Sequence, residues 1–158
     1  MKKIAILYST YTPTIDAIKA RLCDVECFDK IPANIDEFDL IVNTNFKQEI
    51  KQNHIAVHYS LLPAFKSEEP LRDALVAGVK VTGLTFYYTN PEKIITQYPI
   101  FISGFSHYDE IERELNYLEQ TIYPLILEKI LKNEPFEIRN LLTKGCSGNC
   151  GGCDGCSH

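Results

Sequence analysis

The chain has 158 residues, 45% of them apolar and 23% charged. That composition excludes a disordered protein and predicts one domain with, at most, a short tail. Sixteen basic residues against 21 acidic ones give a net charge of −5, which implies no general nucleic-acid-binding surface, though it leaves room for a local basic patch. No apolar run approaches the ~20 residues that cross a bilayer. The apolar stretch after Met1-Lys2-Lys3 is too short for an export signal, and no small-residue cleavage site follows it. The expectation is a cytoplasmic protein that touches neither membrane nor nucleic acid.

Residues 2–8 cluster apolar side chains as a buried strand does. Thr12 then offers a helix cap, Pro13 fits the first helical position, and Ile15, Ile18 and Leu22 follow at helical spacing. Val25 to Phe28, Phe38 to Val42 and His54 to His58 read as three further strands. Strands interleaved with helical stretches predict a parallel α/β sheet. Ser67 can cap a second helix, with Glu68 and Glu69 in its first turn and Gly78 at its end. Val79 to Tyr88 and Ile94 to Ile102 read as two strands joined through Thr89-Asn90-Pro91-Glu92, an antiparallel hairpin or a short loop connection. Tyr108 to Lys132 holds a helical rhythm through Ile111, Leu115, Leu118, Ile122, Leu125, Ile126 and Ile130; Pro124, inside it, is expected to bend or split the helix.

From Lys144 the composition changes abruptly. Five of the eight glycines and four of the six cysteines fall in the last fourteen residues. The division predicted is a domain over 1–143 and a Cys/Gly-rich metal-binding tail over 144–158. Cys146, Cys150, Cys153 and Cys156 are spaced C-x3-C-x2-C-x2-C. Without an export signal, metal binding is favoured over a disulfide framework. Four thiolates in one short run suit an iron–sulfur cluster better than zinc, whose structural sites usually divide into two distant pairs. Zinc remains the alternative, and a reduced tail that binds nothing is the plain reading against both. Cys23 and Cys27 read as small buried hydrophobes. His54 and His107 sit in no motif and read as surface residues.

Residues 55–97 carry a more specific pattern: Ile55-Ala56-Val57-His58-Tyr59-Ser60-Leu61-Leu62-Pro63, then Pro70, Gly78, Thr82-Gly83-Leu84-Thr85 and Ile94-Ile95-Thr96-Gln97. This resembles the formyltransferase family that uses 10-formyltetrahydrofolate, including its glycinamide ribonucleotide and methionyl-tRNA branches. The resemblance implies an α/β fold with a formyltransferase-like, Rossmann-type open sheet, here shortened, with a C-terminal helix ahead of the Cys-rich tail. It implies attack of an amine on a formyl carbon, with a His, an Asn two residues before it and an Asp after the Thr-Gly-x-Thr strand as the catalytic groups. It makes His58 the catalytic residue. It also places Ser60, Leu61, Leu62, Pro63 and Gly83 beside a tetrahydrofolate derivative.

The chain departs from that pattern at two of the three catalytic positions. Ala56 stands where the family has Asn, and losing one oxyanion donor typically costs ~2.7–4 kcal/mol. The turn at Thr89–Glu92 is several residues shorter than the family's Asp-bearing loop, and offers Asn90 and Glu92. Asn43 and Asn45, closing the neighbouring strand, are candidate replacement amides for His58. Of three functional readings, the sequence favours the first over ordinary formyl transfer, and the other two are alternatives. One is a diverged family member whose task rests on the iron–sulfur or zinc tail, in electron transfer or another metal-linked role. A second is an active formyl transferase with a reorganised site. The third is a redox-sensing protein that binds a partner. The corresponding partners are a small molecule or a redox partner protein.

Overall fold

The computed structural model describes residues 2–104 and 106–136. β1 (Ile4–Leu7) is buried along its whole length. It alternates faces as a strand must: Ile4 and Ile6 enter one apolar cluster, Ala5 and Leu7 another. α1 (Pro13–Arg21) follows, with Thr12 extended at its N-cap, Pro13 in the first turn, and Ile15 and Ile18 buried. β2 (Val25–Phe28) returns parallel to one side of β1, and β3 (Leu40–Asn43) lies parallel to the other. β4 (Ile55–His58) pairs parallel with β3. After α2 (Pro70–Val76) come β5 (Val81–Thr89), β6 (Glu92–Phe101) and α3 (Tyr108–Leu131).

The strand order is β2-β1-β3-β4-β5-β6. The first four strands are parallel, as the alternating pattern predicts, but β5 runs antiparallel to β4 and β6 antiparallel to β5. The Asn90-Pro91 turn is the reason for the second pairing: a connection that short joins only antiparallel neighbours. The sheet is therefore mixed.

Two helix expectations are revised. Ser67 does not cap α2; its hydroxyl bonds the Asp73 carboxylate, Glu69 occupies the cap, and Pro70 takes the first turn, where its missing N–H costs nothing. Pro124 does not split α3, which runs unbroken over 24 residues. Ile122, Tyr123, Ile126 and Leu127 are all buried around it. At roughly 1.5–3 kcal/mol per large buried side chain, their packing outweighs the ~3 kcal/mol proline penalty.

The larger apolar cluster joins one sheet face to α1, α2 and α3, through Ile15, Ile18, Leu71, Leu84, Phe86, Leu115 and Ile126 among others. The smaller one covers the opposite face through Ile35, Ile41, Phe46 and Ile50. Tyr123, fully buried on α3, donates its hydroxyl to the backbone carbonyls of Asn43 and Ile55, each at 3.0 Å. One side chain thus fixes α3 against β3 and β4. Asn43 ends β3 and Ile55 begins β4, so α3 is anchored beside the carboxyl edge of the parallel strands, where open α/β sheets form their ligand crevices.

Candidate functional site

A cleft of about 930 Å³ opens at that edge. Its walls are the N-terminus of α1, the residues after β3, the end of β4, the segment leading into α2, and one face of α3. His58, the last residue of β4, lines it. The ring Nε2 lies 3.0 Å from the Phe65 carbonyl oxygen. A carbonyl only accepts, so Nε2 carries the hydrogen and Nδ1 holds the lone pair of the neutral ring. Phe65 adopts a left-handed backbone, φ 51°, a conformation that costs a non-glycine residue about 1 kcal/mol or more. That bend turns its carbonyl onto the imidazole.

The motif residues around His58 are knitted to one another. Thr85 Oγ1 donates to the Ser60 carbonyl at 2.7 Å and accepts from the Leu62 amide and from Gln97 Nε2, each at 3.0 Å. Gln97 Nε2 also reaches the Leu62 carbonyl at 2.8 Å. The Ser60 hydroxyl is spent on the Ala64 carbonyl at 2.6 Å, and the Leu62–Pro63 bond is cis. Gly83 lies where an added Cβ would sit 2.0 Å from the Tyr98 backbone oxygen and 2.8 Å from Leu61. Ser60, Leu61, Leu62, Pro63 and Gly83 thus belong to the framework behind His58 rather than to the lining of this cleft, and the Ser60 hydroxyl is already committed within that framework.

Of the catalytic companions suggested by sequence, Asn45 lines the cleft with His58, and none of them is hydrogen-bonded to the imidazole among the described residues. Ala56 shares the strand face of His58 but offers only a methyl group. Asn43 bonds the Phe46 backbone with both ends of its amide. Asn45 accepts from the Ser9 and Thr10 amides and donates to the Thr10 carbonyl. Its amide shapes the loop entering α1 and makes no bond to His58. Asn90 sits in the β5–β6 turn, its backbone amide bonded to Asn53, and Glu92 is ion-paired with Lys66.

His54, read as a surface residue, is buried: its Nδ1 meets the Gln52 carbonyl and the Thr89 hydroxyl, and burial lowers its pKa. Cys23, read as buried, is exposed; Cys27 is half-buried, and burial raises its thiol pKa. Cys146, Cys150, Cys153 and Cys156 lie outside the described residues. Among the described residues, no cluster of three or more His, Cys, Asp and Glu side chains forms a metal site.

The cleft contains one group that sequence reasoning passed over. Glu119 on α3 is only 6% exposed, yet it lines the cleft. The Tyr59 hydroxyl contacts its Oε2 and also lies 2.5 Å from Asn116 Oδ1. Burial pushes the Glu119 carboxyl up to about 7, against the opposing pull of hydrogen bonds from Tyr59 and Thr14. The signal was present in the sequence: counted from Leu115 and Ile122, position 119 falls on the buried stripe of the helix, where an acid is out of place.

This raised carboxyl makes stability pH-dependent. The folded chain holds the Glu119 proton more tightly than the unfolded chain, so the associated stability is full below about pH 4.5 and is lost as pH rises through about 7. The shift corresponds to roughly 3 kcal/mol. Glu119→Gln is expected to flatten the fall in unfolding free energy between about pH 5 and pH 8, leaving the variant the more stable protein at the alkaline end by up to about 3 kcal/mol. Urea titrations across that range check it, and identical pH slopes for the two proteins would count against it.

A cleft at the carboxyl ends of parallel strands, with His58 delivered by one of them, is the arrangement of an open α/β ligand-binding scaffold. Residues 34–127 match the family model described as formyl transferase, and the chain belongs to that family. It is 37% identical over 83 residues to the phosphoribosylglycinamide formyltransferase of Bacillus subtilis, a match covering 49% of this chain and 42% of that protein. It is 33% identical over 107 residues to the methionyl-tRNA formyltransferase of Halalkalibacterium halodurans, covering 57% and 34% respectively. The matched stretch therefore spans less than half the length of either relative.

Among solved structures, phosphoribosylglycinamide formyltransferase from Anaplasma phagocytophilum superposes with a TM-score of 0.71 at 17% identity, over 84% of this chain and 87% of that one. Glycinamide ribonucleotide transformylase 1 from Symbiobacterium toebii gives 0.69 at 20% identity, over 84% and 89%. These likenesses establish the shared fold.

Proposed function

We propose that the chain transfers a formyl group from a formyltetrahydrofolate to a primary amine bound in the cleft. The observation that carries this reading is the position of His58: end of β4, wall of a cleft of about 930 Å³, ring held by the Phe65 carbonyl. That volume falls within the range of small-molecule sites. Val57, Leu71 and the Tyr117 ring supply apolar lining for a flat heterocycle. The folate, when bound, supplies the electrophilic formyl carbon. With Nε2–H spent on Phe65, His58 meets the reaction through Nδ1. Protonated there, the ring donates to the oxyanion that develops on attack; neutral, it accepts a proton. Ala56 withdraws the amide that would share the oxyanion, so this site relies on the imidazole more heavily than one with that amide.

The test is to incubate the full chain with 10-formyltetrahydrofolate and, separately, phosphoribosylglycinamide, methionyl-tRNA and glycinamide. The first two are the acceptors named for the relatives, and the third is the bare amine. A formylated acceptor detected by mass spectrometry supports the reading. Release of tetrahydrofolate at the same rate with and without every amine contradicts it.

A second reading is favoured by a separate observation, the C-x3-C-x2-C-x2-C spacing of Cys146, Cys150, Cys153 and Cys156. We propose that these thiolates hold an iron–sulfur cluster, with zinc as the alternative metal, and give the chain an electron-transfer, redox-sensing or other metal-linked role beside the cleft. Gly148, Gly151, Gly152 and Gly155 accept the tight turns that such short intervals need. Metal analysis and a visible spectrum of anaerobically purified full chain separate the outcomes: iron with broad thiolate-to-iron absorption supports the cluster, one colourless zinc supports the alternative, and no metal removes both.

A further inference from the structure

The N-terminus of α1 opens on the cleft through Thr12, Pro13 and Thr14. A helix N-terminus beside a cleft is the ordinary place for a phosphate, because backbone N–H groups and the helix dipole converge there. In this chain the donors of that corner are already taken. Asn45 Oδ1 accepts from the Ser9 amide at 2.8 Å and from the Thr10 amide at 3.1 Å, and Asn45 Nδ2 donates to the Thr10 carbonyl at 2.7 Å. The Lys47 amide goes to the Ser9 hydroxyl at 3.2 Å. Pro13 brings no N–H, and the Ile15 amide turns back to the Thr12 carbonyl at 3.0 Å. The Thr14 hydroxyl is hydrogen-bonded to Glu119. Asn45 itself lines the cleft, so its side-chain oxygen holds the place a phosphate oxygen would need.

The charges around the corner act in the same direction. Asp16 lies in the first turn of α1, where an anion would gain from the dipole, and the Tyr11 hydroxyl donates to it at 2.7 Å. Glu68, Glu69 and Glu112 line the cleft against one guanidinium, Arg113, whose Nε is spent on the Asp109 carbonyl at 3.2 Å. Among the described residues no lysine lines it. A lining so charged disfavours an anion.

We propose that Asn45 is a specificity-determining residue: it closes the α1 corner to phosphate, and the acceptor amine of this cleft is an unphosphorylated one. The inference rests on the transferase reading of the cleft, and it departs from the phosphorylated acceptor in the name of the Bacillus subtilis relative. A phosphate brought to the corner sheds water beside acids and finds the Ser9 and Thr10 amides spent. Each amide-to-anion bond forgone costs a factor of about ten or more in affinity. An acceptor without the phosphate meets neither cost.

The test uses the full chain with inorganic phosphate, and with two acceptors that differ in one group: phosphoribosylglycinamide and its dephosphorylated ribosyl counterpart. Phosphate binding is read from 15N amide spectra. In the parent, millimolar phosphate is expected to leave the Ser9 and Thr10 cross-peaks in place. In Asn45→Ala, which releases both amides, those cross-peaks are expected to move and phosphate to bind at least about tenfold more tightly. In Glu68→Gln combined with Glu112→Gln, which removes charge but keeps the Asn45 bonds, the two cross-peaks are expected to stay in place. In formyl transfer, the parent is expected to use the ribosyl acceptor with a kcat/KM equal to or above that for the phosphoribosyl one, and Asn45→Ala to shift that ratio toward the phosphorylated acceptor.

Phosphate that moves the parent's Ser9 and Thr10 cross-peaks overturns the proposal, as does a folded Asn45→Ala that gains no phosphate binding. A parent that formylates phosphoribosylglycinamide with the higher kcat/KM overturns it and leaves the transferase reading standing; this comparison decides alone if Asn45→Ala fails to fold. Phosphate refused by the parent and admitted by Asn45→Ala, with no acceptor formylated by either, supports the closed corner and overturns the transferase reading.

Discussion

Replacing His58 by alanine is expected to lower formyl transfer by a hundred- to ten-thousand-fold while leaving the fold intact. The rate estimate is the range for removing a positioned acid–base group. It lies toward the upper end here because Ala56 provides no amide to share the oxyanion. The structural expectation follows from the contacts of the ring. His58 is half-buried, and its one hydrogen bond among the described residues goes to the Phe65 carbonyl. That carbonyl also lies 3.4 Å from the Ser60 hydroxyl, so it is not left without a neighbour when the imidazole is removed. Circular dichroism and urea melts of His58→Ala should match those of the parent, and single-turnover transfer should not. Equal transfer rates would place the chemistry away from β4.

Of the three described glycines, Gly83 is the one where an added methyl, Gly83→Ala, is expected to be most damaging. The new Cβ would lie 2.0 Å from the Tyr98 backbone oxygen and 2.9 Å from the Pro99 Cα. Neither is the free end of a flexible side chain. Both belong to β6, which pairs with β5 from Val81 to Thr89, so relief requires the ladder itself to open. Overpacking of ordinary cores costs about 1–3 kcal/mol; with backbone as the obstacle, about 3 kcal/mol or more is expected. The strain also reaches Leu61, 2.8 Å away, and through it the Ser60–Pro63 framework behind His58. Thermal unfolding should fall by roughly 10 °C, and formyl transfer at low temperature should fall as well. A melting temperature within a degree or two of the parent would show that β6 can shift without loss.

The elements most legible in the sequence were those with a strong local signal. Val25–Phe28 is recovered residue for residue, and α1 and α3 begin where Pro13 and Tyr108 place them. What the sequence hid was decided by partners distant along the chain. Ser67 looks like a cap until Asp73 competes for its hydroxyl. Asn45 looks like a companion for an imidazole until the Ser9 and Thr10 amides claim it from 35 and 36 residues away. The family-like stretch from Ser60 to Gln97 was visible as a motif. The motif did not show that Thr85 bonds both the Ser60 carbonyl and Gln97. Glu119 was the reverse case. Its place in an apolar stripe was visible, but its meaning depended on Tyr59 arriving from 60 residues away.

The central claim is that formyl carbon and amine meet beside His58, and it can be tested without turnover. The measurement is an intermolecular nuclear Overhauser experiment on the full chain with a hydrolysis-resistant formyl-folate analogue and 13C-labelled histidine. A cross-peak between the formyl proton and the His58 ring is expected, and it is expected to persist when glycinamide is added. A bound analogue whose formyl proton contacts only residues outside the cleft would contradict it.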